Sequence, residues 1–532
     1  MKAATSPTRL MQDGTFVSPQ QSKRRSVVVK GRHARYLPQD DKISGDSPPA
    51  PTHEIMRPPV IFAAGLACLA LGACATARKA DTRLPAAYEA AQPGSTALSP
   101  AVLDTWWTQF RDPDLTALVE QALRQAPDAR AAAARLTEAR ATASEGLLAF
   151  LPQGSAVGQT KNTHTTQTSG TAIAIPGFST SGATIANSGN LNVSWEVDLF
   201  GRIFAVAKAA KGDAATAQFD YEATRASLAA NVADTYFQVR GLAIQLADAR
   251  ETVRVERDLQ RVADVKSSHG LGPTSDSDRV AGDLAQAESQ AAGLEAELQA
   301  TRRTLLVLVG RGVDPTSTVP ASTNVGLIPE VPVTVPGALL ARRPDVREAE
   351  ARIWSAVGRE SYDQLAFFPT IDLQPGIGLA KSKQPGLSVG SRSWSIGGTI
   401  TQPVLSIPKM LAELKAQNAR TEQAVIAYEK AVQTAYGEVD SALVRLDSDR
   451  RRVALLTDGE RRAARAYQAG RTGYASGYTD LQTALSAEQS WRSVRSQLTA
   501  AQVQALRRVV QSYKAMGGCW SVTPAKQEAR DK

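Results

Sequence analysis

The clearest pattern in this chain is a heptad seam. Leu228, Val232, Thr235, Val239, Leu242, Leu246, Ala249 and Val253 step by four and three residues in alternation, the spacing of a helix packed side by side with another helix. Val425, Tyr428, Val432, Ala435, Val439, Ala442 and Leu446 repeat that spacing. The first seam predicts a helix that begins after Phe200-Gly201-Arg202 and runs to about Ser268, a rod of about 100 Å at 1.5 Å per residue. Gly270-Leu271-Gly272-Pro273 breaks it, because Gly permits a sharp turn and Pro lacks the donor of a helix interior; a return helix follows from about Ser275 to Val309. The second rod turns between Gly470 and Gly477 and returns to about Met516. A shorter helical stretch precedes each rod, from Trp106-Trp107 to about Leu151 and from Pro344 to Ala366.

Between the short helix and the rod the period changes. Asn190 to Leu199 alternates polar with apolar residues, as a strand facing two environments does. Residues 153–198 read as a pair of strands, and between about Thr370 and Val404 strand-like segments flank a Gly/Ser loop. About 163–186, rich in Thr, Ser and Gly, reads as a long polar loop within the first pair.

The chain therefore repeats itself. Ala126-Pro127-Asp128 returns as Arg343-Pro344-Asp345, and Phe150-Leu151-Pro152 as Phe367-Phe368-Pro369, both displaced by 217 residues. Tyr221-Glu222 recurs as Tyr428-Glu429, and Gly270 with Ala287-Glu288 as Gly470 with Ala487-Glu488. Two halves with one order of elements are one structural unit used twice. The first spans 74–310, the second 337–520, and a Pro-punctuated linker, 311–336, joins them. Residues 521–532 read as a disordered tail.

At the other end, Met56-Arg57, an apolar run from Val60 to Leu71 and Leu71-Gly72-Ala73-Cys74 describe a signal peptide over 56–73. Leu-Gly-Ala-Cys resembles a bacterial lipobox, which makes Cys74 the lipidated mature N-terminus; Cys68 competes poorly, since Gly65 stands where the motif wants Leu. Residue 75 is Ala rather than Asp, which by the same resemblance favours sorting to the outer membrane. Residues 1–55 lie upstream of this complete signal and read as a non-native or disordered extension, with Met56 the expected start.

Charge excludes more than it suggests. Of the net +9, residues after 73 hold 51 Lys/Arg against 47 Asp/Glu, a net +4, without the concentrated basic face of a nucleic-acid binder. Only His164 and His269 follow residue 73, and neither has a second His or Cys nearby. No metal site, cofactor or nucleophile–base pair is expected, so the chain reads as no enzyme.

Four strands cannot close a barrel, and open edges in hydrocarbon leave backbone groups unsatisfied. Closure requires copies, and three give twelve strands, an even number within the range of outer-membrane barrels. The expected fold class is mainly α with a small β part: duplicated helical hairpins forming a coiled-coil α-barrel, with four strands per chain completing a 12-stranded transmembrane β-barrel in a trimer. No other segment has 18 or more consecutive apolar residues, which excludes a helical membrane domain.

Six segments carry a family resemblance: Trp107-x-x-Phe110-x-Asp112, Trp195 to Arg202, Leu340 to Val346, Phe368-Pro369-x-Ile371, Gln402-Pro403-Val404-Leu405 and Ala515 to Trp520. In this order they resemble the outer membrane factors, the TolC-like exit ducts of efflux systems, and specifically their NodT-type lipoprotein branch. The family's usual Gly is replaced by Cys519, and its Gly-rich continuation by Ser406-Ile407-Pro408. The resemblance implies an outer-membrane, lipid-anchored duct with a long periplasmic portion, working as a homotrimer with a periplasmic adaptor and an inner-membrane pump of RND type, and passing small molecules such as drugs without chemistry of its own. It places gate and adaptor docking at the hairpin tips: Gly270, Leu271, Gly272, Asp276 and Asp278 in one, and Gly470, Arg471, Gly473, Tyr474, Tyr478 and Asp480 in the other. A plain solvated turn competes for Gly470 to Gly473. Arg342-Arg343-Pro344-Asp345 reads as a helix start, and Trp106, Trp107 and Trp520 as packing anchors. The alternative functional class is a periplasmic adaptor or a structural coiled-coil lipoprotein, but adaptors usually carry a single hairpin.

Overall fold

The computed structural model describes residues 80–89, 103–166, 168, 181–319, 322, 324–331, 336–384, 386–476 and 478–518; the expectations for Cys74, the signal peptide, residues 1–55, Trp520 and the C-terminal tail lie outside them. A 3-10 turn, Trp106–Phe110, leads into helices α1 (Pro113–Gln125) and α2 (Pro127–Leu148), strands β1 (Gln153–Thr165) and β2 (Gly182–Glu196), the rod α3 (Arg202–Ser268) and its return α4 (Thr274–Leu308). After the linker come α5 (Ala338–Arg342), α6 (Pro344–Leu365), β3 (Thr370–Gln384), β4 (Leu387–Thr401), the second rod α7 (Ile407–Ala475) and its return α8 (Leu481–Ala515).

The single lead helix expected from Trp106 to Leu151 is broken. Pro127 has no N–H to offer, and Ala126 takes ψ 137°, so one helix ends and another begins there. Pro344 likewise opens α6 after Arg343 at ψ 120°, which explains the repeated Pro-Asp. The expected polar loop also shrinks: Thr163 pairs with Thr184 and Thr165 with Gly182; the Gly/Ser loop expected in the second half is strand as well, β3 and β4 pairing from Thr370 with Thr401 to Gln384 with Leu387. Alternation fails as a signal in the first pair because β1 is polar on both faces from Gln159 to Thr165.

A third correction concerns the repeat itself. The return helices α4 and α8 are both 35 residues long, and they start 207 residues apart, at Thr274 and Leu481, and end 207 apart, at Leu308 and Ala515. The equivalence is therefore 207 throughout the hairpins, not the 200 suggested by pairing Gly270 with Gly470 and Ala287-Glu288 with Ala487-Glu488. The difference is one heptad, which leaves every side chain on nearly the same helix face; this is why the mistaken register looked consistent. Gly470 sits inside α7, where a Cβ would lie 3.6 Å from the Ala487 Cβ, so it serves close packing of α7 on α8 rather than a turn.

Both heptad seams are inside. Leu228, Val232, Val239, Leu246 and Val253 of α3, and Val432, Ala435, Val439 and Leu446 of α7, are buried. Toward the strands, α6 lies between the rods; toward the tips, α8 does. The chain thus forms a layer of helices with one sheet at its end. Where α3 crosses α6 the backbones nearly touch: a Cβ at Gly212 would stand 2.8 Å from Ser355 Cα, and one at Gly358 2.7 Å from Ala209 Cα.

Candidate functional site

The sheet has the order β1-β2-β3-β4, all antiparallel, and within the chain β1 and β4 each have one unpaired edge. Its register sorts the side chains. Leu191 pairs with Ile377, which pairs with Trp394, so these three share a face with Trp195, Ile371, Leu373, Leu379, Ile396 and Ile400. The other face carries Asn190, Asn192, Ser194, Gln374, Ser393, Ser395 and Thr399. Curvature identifies the inside. A Cβ on Gly378 would meet Ser393 Oγ at 2.7 Å and Asn190 Oδ1 at 2.9 Å, so polar side chains crowd the concave face. The apolar residues stand on the convex one, Trp394 at 80% and Ile396 at 72% exposure. This inverts a water-soluble sheet and matches a barrel wall with lipid outside and water inside.

The strands are fixed to the helices by the Trp195 to Arg202 segment. Trp195 Nε1 donates to the Phe150 carbonyl at 3.1 Å. In the second half Gln402 Nε2 donates to the Phe367 carbonyl, also at 3.1 Å, a repeat of the same clamp with a different side chain. Asp198 accepts from the amides of Phe200, Gly201, Arg202 and Ile203 at 2.7–3.2 Å. Burial alone would raise its pKa, but these four amides outweigh it and hold the carboxyl below the usual range, as amides at a helix N-terminus do. Gly201 takes φ +86°, open to Gly without strain. Arg202 then bridges the halves, donating to Glu196 at 3.1 Å and to Tyr362 Oη at 3.1 Å, while Phe200 stacks on Phe368 at 4.9 Å.

Midway along the helices lies a buried polar clamp. Asp112 caps α1 by accepting from the Asp114 and Leu115 amides, and also accepts from Tyr236 Oη at 3.0 Å and from Arg240. Arg240 Nε donates to the Asn324 carbonyl of the linker at 2.8 Å. The linker continues across the second rod, where Arg450 donates to the Pro329 carbonyl at 2.8 Å. Trp106, Trp107 and Phe110 are buried beside it, with Trp106 stacked on Tyr513 at 5.7 Å. Arg342 pairs with Asp104 at 2.7 Å, and Arg343 with Asp345 and Glu438 at 2.6 and 2.7 Å. Arg343 also donates to the last carbonyl of α8, Ala515, at 3.0 Å. These arginines join α5 and α6 to the lead segment, α7 and α8.

The tips are built alike. The Leu271 amide donates to Lys266 O and the Tyr478 amide to Gly473 O, both at 2.8 Å, a six-residue closure that ends a helix in a Schellman motif. Gly270 supplies the φ of +68°. Leu271 and Tyr478, 207 residues apart, stand out at 78% and 88% exposure. Asp276 lies in the first turn of α4 with Asp278 just beyond it, both exposed. Arg471, Gly473 and Tyr474 lie in the last turns of α7, not in the connecting turn. Asp480 caps α8 through the Thr483 amide at 2.6 Å; that bonding lowers its pKa. Of these residues, Tyr474 joins the two hairpins within one chain: Lys266 Nζ donates to its hydroxyl at 3.0 Å and lies 5.0 Å from its ring centre. Arg471 is exposed and pairs with no described residue.

Sequence reasoning missed the links above the tips. Arg492 of α8 binds Glu256 of α3 at 3.2 Å and Glu488 of its own helix. Arg495 reaches Asp248 at 2.7 Å, and Arg507 reaches Asp234 at 2.7 Å. A row of arginines on one face of α8 was visible, but only the fold supplies their partners on α3, 236–273 residues away. No described helix is long and apolar enough to cross a membrane, and no described group of His, Cys, Asp or Glu has the arrangement of a metal site.

The family model for outer membrane efflux proteins matches the chain twice over the two hairpin units, at residues 118–311 and 335–518. The pyoverdine export outer membrane protein OpmQ of Pseudomonas aeruginosa is 25% identical over 462 residues, 85% of this chain and 96% of that protein. The toluene efflux pump outer membrane protein TtgI of Pseudomonas putida is 28% identical over 423 residues, 78% of this chain and 87% of that one. The solved outer-membrane channel OprN superposes with a TM-score of 0.70 at 26% identity, covering 83% of this chain and 98% of the other. With its inverted sheet, paired strand-to-helix clamps and duplicated hairpins, the chain belongs to the outer membrane efflux protein family and is an efflux channel of the outer membrane.

Proposed function

We propose that three copies of this chain close into one continuous duct, and that the duct opens at its hairpin tips when a periplasmic adaptor engages them. The observation that carries this reading is the sheet: apolar outside, polar inside, with an unpaired edge on both β1 and β4. A four-stranded sheet cannot bury its edges alone, and lipid offers no substitute hydrogen bonds. Three copies supply twelve strands, twelve columns of helix and six tips. Cys74 anchors the N-terminus to the membrane as a lipid-modified residue. Residues 1–55 precede the mature protein, and 521–532 follow the second unit.

The tips carry the second part of the reading. Leu271 and Tyr478 present one exposed apolar or aromatic side chain each, six per trimer, the kind of rigid anchor that partner recognition favours. Gly270, Gly272, Asp276 and Asp278 flank the first, and Gly470, Arg471, Gly473 and Asp480 the second. The Lys266–Tyr474 contact then holds the tips together at rest. An inner-membrane pump of RND type supplies the energy, in keeping with relatives named as outer membrane proteins of efflux pumps, and small molecules pass down the duct passively. Pyoverdine and toluene, named for two relatives, share little chemistry, which fits a conduit whose cargo is chosen elsewhere.

Native mass spectrometry of the extracted protein tests closure: a trimer is expected, and a monomer retaining channel activity would refute it. Leu271→Glu with Tyr478→Glu tests docking. Cellular efflux is expected to fall while bilayer conductance of the purified channel persists; undiminished efflux would remove the tips from adaptor binding.

A further inference from the structure

The convex face of the sheet changes character along its length. From Ile371 to Leu379 on β3 it is apolar, a span of eight residues, or about 20 Å of height for a strand tilted about 40°. Lys381 and Lys383 follow on the same face, about 5 and 10 Å beyond the last apolar residue by the same geometry. Arg392 of β4 lies directly opposite Leu379, so its Cβ is a diagonal neighbour of Lys381, roughly 7 Å away. All three side chains are exposed. No ion pair joins any of them to a described carboxylate.

Carboxylates are missing from this end altogether. The sequence has no Asp or Glu between Lys161 and Glu196, nor between Asp372 and Glu413. Glu196 and Asp372 are the acidic residues of the four strands; they lie opposite each other at the helical end, on the concave face. The outer rim of the wall thus carries three adjacent cations per chain facing lipid, with no counter-charge. Like charges this close repel, and an anion between them would relieve the repulsion.

The helices extend into the periplasm, so the hairpin end bearing these cations reaches the external leaflet. Their height above the apolar belt is that of lipid head groups, and long Lys and Arg side chains reach such a level while their stems stay on apolar surface. We infer that Lys381, Lys383 and Arg392 form a docking site for a phosphorylated lipid of the outer leaflet, bound through its head-group phosphates by charge-assisted hydrogen bonds. Three such sites encircle a trimer and would hold an annulus of anionic lipid around the exit.

The test uses the full-length protein purified from outer membranes, exchanged into detergent with added diphosphoryl lipid A, and examined by native mass spectrometry. A surface cation near anionic head groups contributes about a factor of five to binding, so Lys381→Gln, Lys383→Gln and Arg392→Gln together are expected to weaken retention about 100-fold. Lys161→Gln, the same kind of change on the concave face, should leave retention at the wild-type level. Unaltered retention by the triple variant would overturn the proposal, as would equal retention of dephosphorylated lipid A, or a loss with Lys161→Gln as large as with the triple variant. A heat-stability gel on each variant verifies that the assembly is intact, since all four positions are exposed and none supports packing.

Discussion

Arg492 is the residue whose loss should most disturb the resting channel. It binds two carboxylates, Glu256 and Glu488, that are 8% and 6% exposed, while itself only 21% exposed. With charge centres about 4 Å apart and an effective dielectric near 20, each attraction is worth about 4 kcal/mol before desolvation. Removing the cation strands two acids side by side, which costs about 3–5 kcal/mol in comparable buried pairs. Arg492→Met should therefore raise local opening of the α3–α8 seam by at least about 100-fold. Amide hydrogen exchange over residues 249–262 and 485–499 would read this directly, and channel conductance in bilayers should rise with it.

Glu256 gives the opposite expectation. Its Oε2 is buried without a partner, and burial raises its pKa, with Arg492 pulling it down and Asp283 pushing it further up. A carboxyl whose folded pKa exceeds its unfolded value binds protons more readily in the native state. Its favourable contribution is therefore full below the unfolded value near 4.5 and is lost as pH rises through the folded one. Glu256→Gln should consequently be neutral or protective at pH 7.5 and should flatten the pH dependence of exchange in that window. The triple Glu256→Gln, Glu488→Gln, Arg492→Met should recover most of the protection, because no charge is left stranded. Wild-type exchange in Arg492→Met, or damage from Glu256→Gln equal to it, would refute the reasoning.

Three further outcomes follow from other parts of the fold. Asp112→Ala removes a helix cap and strands Arg240, so the thermal midpoint of the intact assembly should drop by the equivalent of about 3–5 kcal/mol, whereas surface Asp81→Ala should not move it. Asp198→Ala should cost about 1–2 kcal/mol at pH 7.5; because its folded pKa is depressed, that difference should shrink as pH falls below 3.8, a trend read from heat-dissociation gels at several pH values. Gly358→Ala drives a methyl into the Ala209 backbone and should destabilise by about 1–3 kcal/mol, despite the better helix propensity of Ala; an unchanged midpoint would mean that α3 and α6 can separate freely.

Much of this architecture was legible because it is periodic. The heptad residues of α3 and α7 announced two rods and their buried faces, and Pro127 and Pro344 announced helix starts. What the sequence concealed was phase. Seven residues of slip preserve a helical face, so Gly470 passes for the partner of Gly270; the turn itself, 476–480, lies at the far end of the expected tip Gly470 to Asp480. The limits of β1 and β2 were hidden because β1 is polar on both faces from Gln159 to Thr165. The links between the hairpins were least legible of all: Lys266, Glu256 and Asp248 are ordinary charged residues of a long helix until the fold brings Tyr474, Arg492 and Arg495 against them.

Correct phase also exposes a difference between the repeats. The face of α8 that meets α3 bears Arg492, Val503 and Arg507, with Val503 packed against Gly241. Counting back 207 residues gives Ala285, Ala296 and Ala300 on α4, all exposed in the single chain. In the proposed ring this stripe faces α7 of the next copy. The seam within a chain is thus locked by ion pairs, while in the proposed ring the seam between chains would be closed by small side chains that let helices approach to about 8 Å. A bulky residue in the second seam should then act on assembly and spare the fold of the chain. Ala296→Trp is expected to cost about 1–3 kcal/mol at each of three interfaces, lowering the heat-dissociation temperature of the trimer while helical circular dichroism of the monomer stays unchanged. A variant trimer as heat-resistant as the wild type would show that α4 does not form this contact, and the ring would have to close through another face.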